Sequence, residues 1–160
     1  MDHDHLDDTA IGPDGSVARR PARIVDSTTT MTTSRSGSIC VHAGTFTLAP
    51  GTIHNGSLHV RDGARVEILG THNGSLHVSS GAVVTITGSQ NGSSHVSTEA
   101  LIEVLSTGRL AGSLAVAGRV ANAGVRGGSV SDLGGTISDV NGGRVRQPER
   151  SSDGASLYRW

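Results

Sequence analysis

One seven-residue phrase decides the fold of this chain. It reads HNGSLHV at residues 54–60, HNGSLHV again at residues 72–78 and QNGSSHV at residues 90–96, so each copy begins eighteen residues after the last. Weaker copies, reduced to Gly-Ser and an apolar residue, begin at Gly37, Gly112 and Gly128. A repeat this short is one coil of a stacked array, because a single unit cannot bury its own apolar face. The sequence therefore predicts a β-solenoid.

Apolar residues alternate with polar ones inside each copy, as in a strand with one face inward. The same alternation returns six residues later and again in every following copy. The predicted inward residues are Leu58, Val60, Val66, Ile68, Leu76, Val78, Val84, Ile86, Ile102 and Val104. We predict an all-β, single-stranded parallel β-helix of about six coils of ~18 residues with a thin aliphatic core.

An antiparallel meander is the rival fold, because Asn-Gly between apolar runs is a strong hairpin signal. Two observations favour the solenoid. Thr98-Glu99 replaces the Asp62-Gly63 pair two copies later, and we expect Glu and Thr to resist the positive φ of a hairpin turn. Residues eighteen apart are also adjacent only in a solenoid, where like stacks on like at the ~4.8 Å strand spacing.

The chain divides into three parts. Residues 1–36 are polar, and we predict that they are disordered or weakly ordered. The solenoid is predicted over residues 37–146, with an irregular, Gly-rich stretch between residues 124 and 143. Residues 147–160 form a polar tail, in which Leu157, Tyr158 and Trp160 are available to fold back as a cap on the last coil.

Composition narrows the functional classes. The formal net charge is −1, so no global field attracts nucleic acid. The single cysteine excludes an internal disulfide framework and suits a reducing compartment. The N-terminal residues lack the basic and apolar regions of a signal peptide, and no stretch approaches the ~18–20 apolar residues of a membrane span. We therefore expect a cytoplasmic protein with no membrane span.

Candidate metal ligands lie in columns. Cys40, His59, His77 and His95 share one outward position on successive coils, and His54, His72 and Gln90 form a partial column beside the Asn-Gly turn. Thiolate and imidazole groups bind Zn²⁺ or Cu²⁺. The alternative, which the geometry favours, is that flat rings stack along a solvated β face, because ligands of one ion must lie closer together than neighbouring strands.

A second column has a structural explanation. Asn55, Asn73 and Asn91 recur before glycine, and Asn tolerates the left-handed region while its amide can bond from coil to coil. We predict a turn ladder formed by Asn55, Asn73, Asn91, Gly56, Gly74 and Gly92.

Catalysis is not expected. The core has one aromatic residue, Phe46, and it aligns inward, whereas carbohydrate sites generally use exposed aromatic rings. Asp132 and Asp139 lie seven residues apart and form the one candidate carboxylate pair, but we interpret them as turn residues.

The repeat resembles that of the bactofilins, polymer-forming bacterial cytoskeletal proteins. The similar stretches are residues 51–60, 63–68 and 108–120, which read as Gly-x-hydrophobic units followed by Gly-Ser-hydrophobic-x-Val. The resemblance covers residues 37–146. It implies a right-handed, three-sided β-helix that polymerises end to end without nucleotide.

Two functional hypotheses follow. In the first, the protein is a scaffold that self-associates as a dimer or filament through its coil ends, because unpaired strand edges join unless they are capped. In the second, it is a monomeric module whose His face binds a metal or a protein partner, for example as the inhibitory member of a toxin–immunity pair. A carbohydrate-active β-helix enzyme is the less favoured third reading.

Overall fold

The computed structural model describes residues 8–11, 17–20, 22–146, 149–150 and 156–157. Three parallel sheets of seven strands form the three sides of a solenoid, as predicted, and the described residues contain no helix. The first sheet consists of β3 (Arg23–Val25), β6 (Ile39–Val41), β9 (Leu58–Val60), β12 (Leu76–Val78), β15 (Ser94–Val96), β18 (Leu114–Val116) and β21 (Val130–Asp132).

The second sheet consists of β4 (Thr29–Met31), β7 (Thr45–Leu48), β10 (Arg65–Ile68), β13 (Val83–Ile86), β16 (Leu101–Val104), β19 (Arg119–Asn122) and β22 (Thr136–Asp139). The third consists of β5 (Arg35–Ser36), β8 (Ile53–Asn55), β11 (Thr71–Asn73), β14 (Ser89–Asn91), β17 (Arg109–Ala111), β20 (Val125–Gly127) and β23 (Arg144–Arg146).

Each coil contributes one strand to each sheet, and like residues stack on like. Leu76 pairs in register with Leu58, His77 with His59 and Val78 with Val60. A meander would place residues eighteen apart two strands away from each other, so the parallel register excludes the rival fold. All ten predicted inward residues are buried in one core cluster, and Phe46 lies in the same cluster.

The solenoid begins at Arg23 and has seven coils, one more than the six expected. Residues 23–36 form the first coil, in a segment that we predicted to be disordered or weakly ordered. Val25 pairs with Val41 and is 3% exposed, while Met31 pairs with Leu48 and is 4% exposed. Two apolar side chains aligned with existing inward columns are enough to order this coil, because the next coil supplies the strand partners.

Short elements flank the solenoid. β1 (Asp8–Ile11) and β2 (Val17–Arg20) form an antiparallel hairpin, and β24 (Glu149–Arg150) pairs with β25 (Ser156–Leu157) in the same way. The aromatic residues of the predicted cap, Tyr158 and Trp160, lie outside the described residues.

The Asn-Gly turn requires glycine. Gly56, Gly74 and Gly92 have φ values of 137°, 143° and 132°, in the region that favours glycine. A Cβ added to Gly74 would collide with the carbonyl oxygen of Gly56 one coil below, and the same relation links Gly92 to Gly74. The recurring glycine is therefore explained by the close approach of successive turns.

A second turn contains a strained residue. Gly63 and Gly81 have φ values of 73° and 76°, and Glu99, at the same position one coil later, has φ of 64°. The expectation that Glu would resist positive φ is wrong here. The carbonyl oxygen of Glu99 accepts a hydrogen bond from the Gly81 N–H at 3.3 Å, so the ladder holds the turn in a conformation that glycine adopts more easily.

We predict that Glu99→Gly raises the free energy of unfolding by about 1 kcal/mol, because it relieves the left-handed strain of a non-glycine residue. Urea unfolding at neutral pH measures the change. The control is Glu103→Gly, which removes the same side chain from the interior of β16 and should destabilise the fold. Equal destabilisation by both variants would contradict the assignment of strain to Glu99.

Candidate functional site

The predicted outward column lies on the first sheet. Cys40 pairs with His59, His59 with His77 and His77 with His95, and Ala115 follows. The rings of His59 and His77 stack with centroids 4.6 Å apart and planes within 5°, whereas His77 and His95 are 6.3 Å apart and tilted by 38°. The first ring pair is therefore stacked, and the second is not.

Cys40 differs from the histidines in its column. Its side chain is a free thiol with 0% exposure, so it is not part of the solvated face. Burial, with a smaller effect of His95, lowers the pKa of His77 below its usual value. In the part of the chain that the structure describes, no group of three or more His, Cys, Asp or Glu side chains is arranged to hold a metal ion.

The predicted asparagine ladder is present at the turns of the third sheet. The Asn73 amide donates to Oδ1 of Asn55 at 3.0 Å, and the Asn91 amide donates to Oδ1 of Asn73 at 3.0 Å. A parallel hydroxyl contact joins Ser75 to Ser57 at 3.0 Å. Each bond links neighbouring coils, so these side chains stabilise the stack.

The His54, His72 and Gln90 column faces the core. All three side chains are buried, although the sequence analysis placed them with the candidate ligands. His54 Nε2 bonds the carbonyl oxygen of Gly37 at 2.7 Å, His72 Nε2 that of Gly56 at 3.0 Å, and Gln90 Nε2 that of Gly74 at 3.0 Å. The column therefore supplies donors to turn carbonyls, which would otherwise be costly to bury.

His72 occupies an unbalanced position in this column. Its Nε2 faces the Gly56 oxygen, and its Nδ1 faces Oε1 of Gln90. A neutral imidazole has one N–H, so it donates to only one of these two oxygens. Rotating the Gln90 amide would satisfy Nδ1 but would turn Oε1 toward the Gly74 carbonyl. Only the imidazolium satisfies both contacts.

Burial opposes that charged form. It is the largest effect on His72 and lowers its pKa from 6.5 to about 4, and the neighbouring charge of His54 acts in the same direction. The hydrogen bonds to Gln90 and Gly56 raise the pKa but do not compensate. His72 is therefore neutral at pH 7, and the stacked rings of His54 and His72, with centroids 5.0 Å apart, pack as a polar part of the core.

The last coils carry a different polar cluster, which the sequence analysis missed. Arg126 donates from Nε and Nη2 to both carboxylate oxygens of Asp139 at 2.9 and 2.8 Å, and the buried Asn122 donates to Oδ1 of Asp139 at 2.8 Å. The hydrogen bond from Arg126 holds the pKa of Asp139 below its usual value. The register of the coils is the sequence signal for this cluster. Arg126 stacks on Leu110 in the column that contains His54, and Asp139 stacks on Asn122 in the second sheet.

This cluster separates the two candidate carboxylates. Asp139 is engaged by Arg126, while Asp132 Oδ1 accepts a hydrogen bond from the Gly134 N–H at 2.9 Å, as a turn residue does. Neither carboxylate is placed as an acid–base partner of the other.

The two ends of the solenoid differ. In the first coil, the inward Val25 and Met31 are 3% and 4% exposed. In the last coil, Val130 and Val145 stand in inward columns yet are 45% and 43% exposed. In the described part of the chain, no further strand pairs with the outer edges of β21, β22 and β23, and the same is true of β3, β4 and β5 at the other end, so the two ends differ in core exposure and not in strand pairing. Among the described residues, the C-terminal end is therefore an open cross-section of the core, in which two inward valines are exposed.

Comparisons with known proteins identify no relative. No protein-family model matches the chain, and no curated protein or solved structure is significantly similar to it. Among the residues that the structure describes, no helix has the length and apolar character to cross a bilayer.

The buried imidazole predicts a pH dependence of stability. The pKa of His72 is lower in the folded chain than in the unfolded chain, so the unfolded chain takes up a proton first as the pH falls. The contribution of neutral His72 to stability is therefore complete above the unfolded pKa and decreases as the pH falls toward the folded pKa. We expect the free energy of unfolding to fall by roughly 3 kcal/mol as the pH drops from 6.5 to about 4. Urea unfolding at several pH values measures the slope.

A matched pair of variants assigns that slope to His72. His72→Gln keeps a donor for the Gly56 carbonyl, as Gln90 does for Gly74, and removes the titration. It should flatten most of the slope, leaving the smaller part that comes from His77. His95→Gln changes an exposed ring and should leave the slope in place. An unchanged slope in His72→Gln would refute the assignment.

Proposed function

We propose that this protein is a structural module that joins copies of itself through the C-terminal end of its solenoid. The open cross-section described above carries the proposal. Exposed parallel strand edges pair with other strands unless they are covered, and exposed Val130 and Val145 add apolar area to the same end. End-to-end association is also what the bactofilin resemblance implies.

The difference between the ends favours a closed dimer over a filament. A filament needs two complementary open ends on each copy, whereas two identical ends meeting about a twofold axis close the assembly. The first coil buries its inward apolar residues, Val25 and Met31, so the C-terminal end is the stronger candidate for contact. We therefore propose pairing of C-terminal ends, in a bacterial protein with a scaffolding role in the cytoplasm and no catalytic activity.

A second candidate function rests on the first sheet. Its outward histidines lie in one column in which His59 and His77 stack and His95 is tilted, with His95 exposed and His59 and His77 partly exposed. Such a surface suits a protein partner, and in that case the molecule acts as a monomeric binding module. Oligomeric state in solution separates the two functions.

We predict that the wild-type chain is dimeric or larger in sedimentation velocity at micromolar concentration, and that Val130→Asp combined with Val145→Asp makes it monomeric. Both positions are already exposed, so the fold should survive while two buried charges are introduced into the proposed interface. Circular dichroism checks the fold.

The matched control is Leu105→Asp. Leu105 is 41% exposed but follows β16 in the middle of the solenoid, so the control should leave the assembly intact. A wild-type chain that stays monomeric at every accessible concentration would exclude the scaffold and favour the binding module. Equal disruption by Leu105→Asp would place the contact elsewhere.

A further inference from the structure

A basic cavity lies on the third sheet near its C-terminal end. It has a volume of about 340 Å³ and is lined by Arg109, Val125, Arg144, Val145 and Arg146. Three of the five lining side chains carry a positive charge, and none carries a negative charge. The volume falls in the ~300–1,000 Å³ range of small-molecule sites.

Within one outward column of this sheet, charged residues occur only in the last coils. Arg109, Val125 and Arg144 continue one outward column, in which the preceding residues are Ile53, Thr71 and Ser89. The column is therefore uncharged through three coils and then presents two arginines on either side of a valine. Strands two steps apart are ~9.6 Å apart, a distance that two long guanidinium side chains span when both bind one anion above the valine.

These arginines differ from their neighbour Arg126. Arg126 is neutralised by the two-pronged contact with Asp139, which is the one ion pair in the described part of the chain. Arg109, Arg144 and Arg146 make no ion pair with any described carboxylate. Like charges that line one cavity repel each other, so an anion between them would be stabilised by all three.

We propose that this cavity binds a small molecule that carries a phosphate group. The planar guanidinium fork matches phosphate oxygens with two parallel hydrogen bonds, which makes arginine the typical residue for this recognition. Val125 and Val145 add an apolar surface beside the charges, and this surface suits the carbon part of a phosphate monoester. The cavity has room for more than the anion alone.

The inference does not rest on the proposed self-association, although Val145 lines the cavity and also belongs to the proposed contact. Arg144, Val145 and Arg146 lie on the edge strand β23, whereas Arg109 lies two strands inward on β17. Loss of binding in an Arg109 variant that keeps its oligomeric state therefore reports on the cavity alone.

Isothermal titration calorimetry with phenyl phosphate at constant ionic strength tests the site. We expect saturable binding by the wild-type chain, and Arg109→Gln and Arg144→Gln should each weaken it by roughly tenfold or more, because each removes charge-assisted hydrogen bonds. The matched control, Arg35→Gln, removes an exposed arginine from β5 at the opposite end of the same sheet and should leave the affinity unchanged. Sedimentation velocity on each variant records its oligomeric state.

A parallel titration with inorganic phosphate in the same buffer distinguishes a phosphate ester from the free phosphate anion as the ligand. Tighter binding of phenyl phosphate would assign the site to a phosphate ester, and equal affinity would assign it to the free anion. The proposal is overturned if phenyl phosphate shows no saturable binding at millimolar concentration. It is also overturned if Arg35→Gln loses as much affinity as Arg109→Gln, since the attraction would then be a general charge effect.

Discussion

Parallel hydrogen bonding between successive coils is the constraint on which the rest of the structure depends. No coil can satisfy its own backbone N–H and C=O groups, so each coil needs a neighbour in register. That register places each residue over its equivalent about eighteen positions earlier and brings the turns close together, as the stacked Gly56, Gly74 and Gly92 show. A substitution is therefore felt along the column as well as at its own position.

The same constraint explains why a thin aliphatic core contains a polar column. The Asn-Gly turns direct carbonyl oxygens toward side chains that enter the core, and each oxygen needs a donor once water is excluded. His54, His72 and Gln90 provide those donors. A neutral imidazole carries one N–H, so neutral His72 donates to only one of the two oxygens that it faces. The other contact in the column therefore lacks a proton.

The properties of the molecule change along its axis. The middle coils are nearly identical, with matched His, Asn and aliphatic columns that favour stacking. The Asn column ends at Ala111 and the His column at Ala115, and the last coils carry the Arg126–Asp139 pair, the arginine-lined cavity and the open core. In the middle coils, identical side chains on neighbouring coils stack into stable ladders. A terminal coil has solvent on one side, so its side chains need not match those of a further coil. Both proposals therefore concern the irregular end of the repeat.

The sequence by itself determined the parallel register, the ten inward aliphatic residues and the Asn55–Asn73–Asn91 ladder, because a strict period leaves one way to stack like on like. Only the tertiary structure decided the features that depend on surroundings. The sequence did not reveal that His54 and His72 point inward. Their strands are three residues long and flanked by polar residues, so the alternation of apolar and polar residues does not show which side chains face the core. The positive φ of Glu99 and the ordering of residues 23–36 depend on neighbouring coils that supply hydrogen bonds and strand partners. The burial of Cys40 is also a property of the folded chain, because alternation alone places it on an outward face. The arginine cavity likewise arises because the solenoid brings together residues up to 37 positions apart in the chain, a proximity that local sequence does not encode.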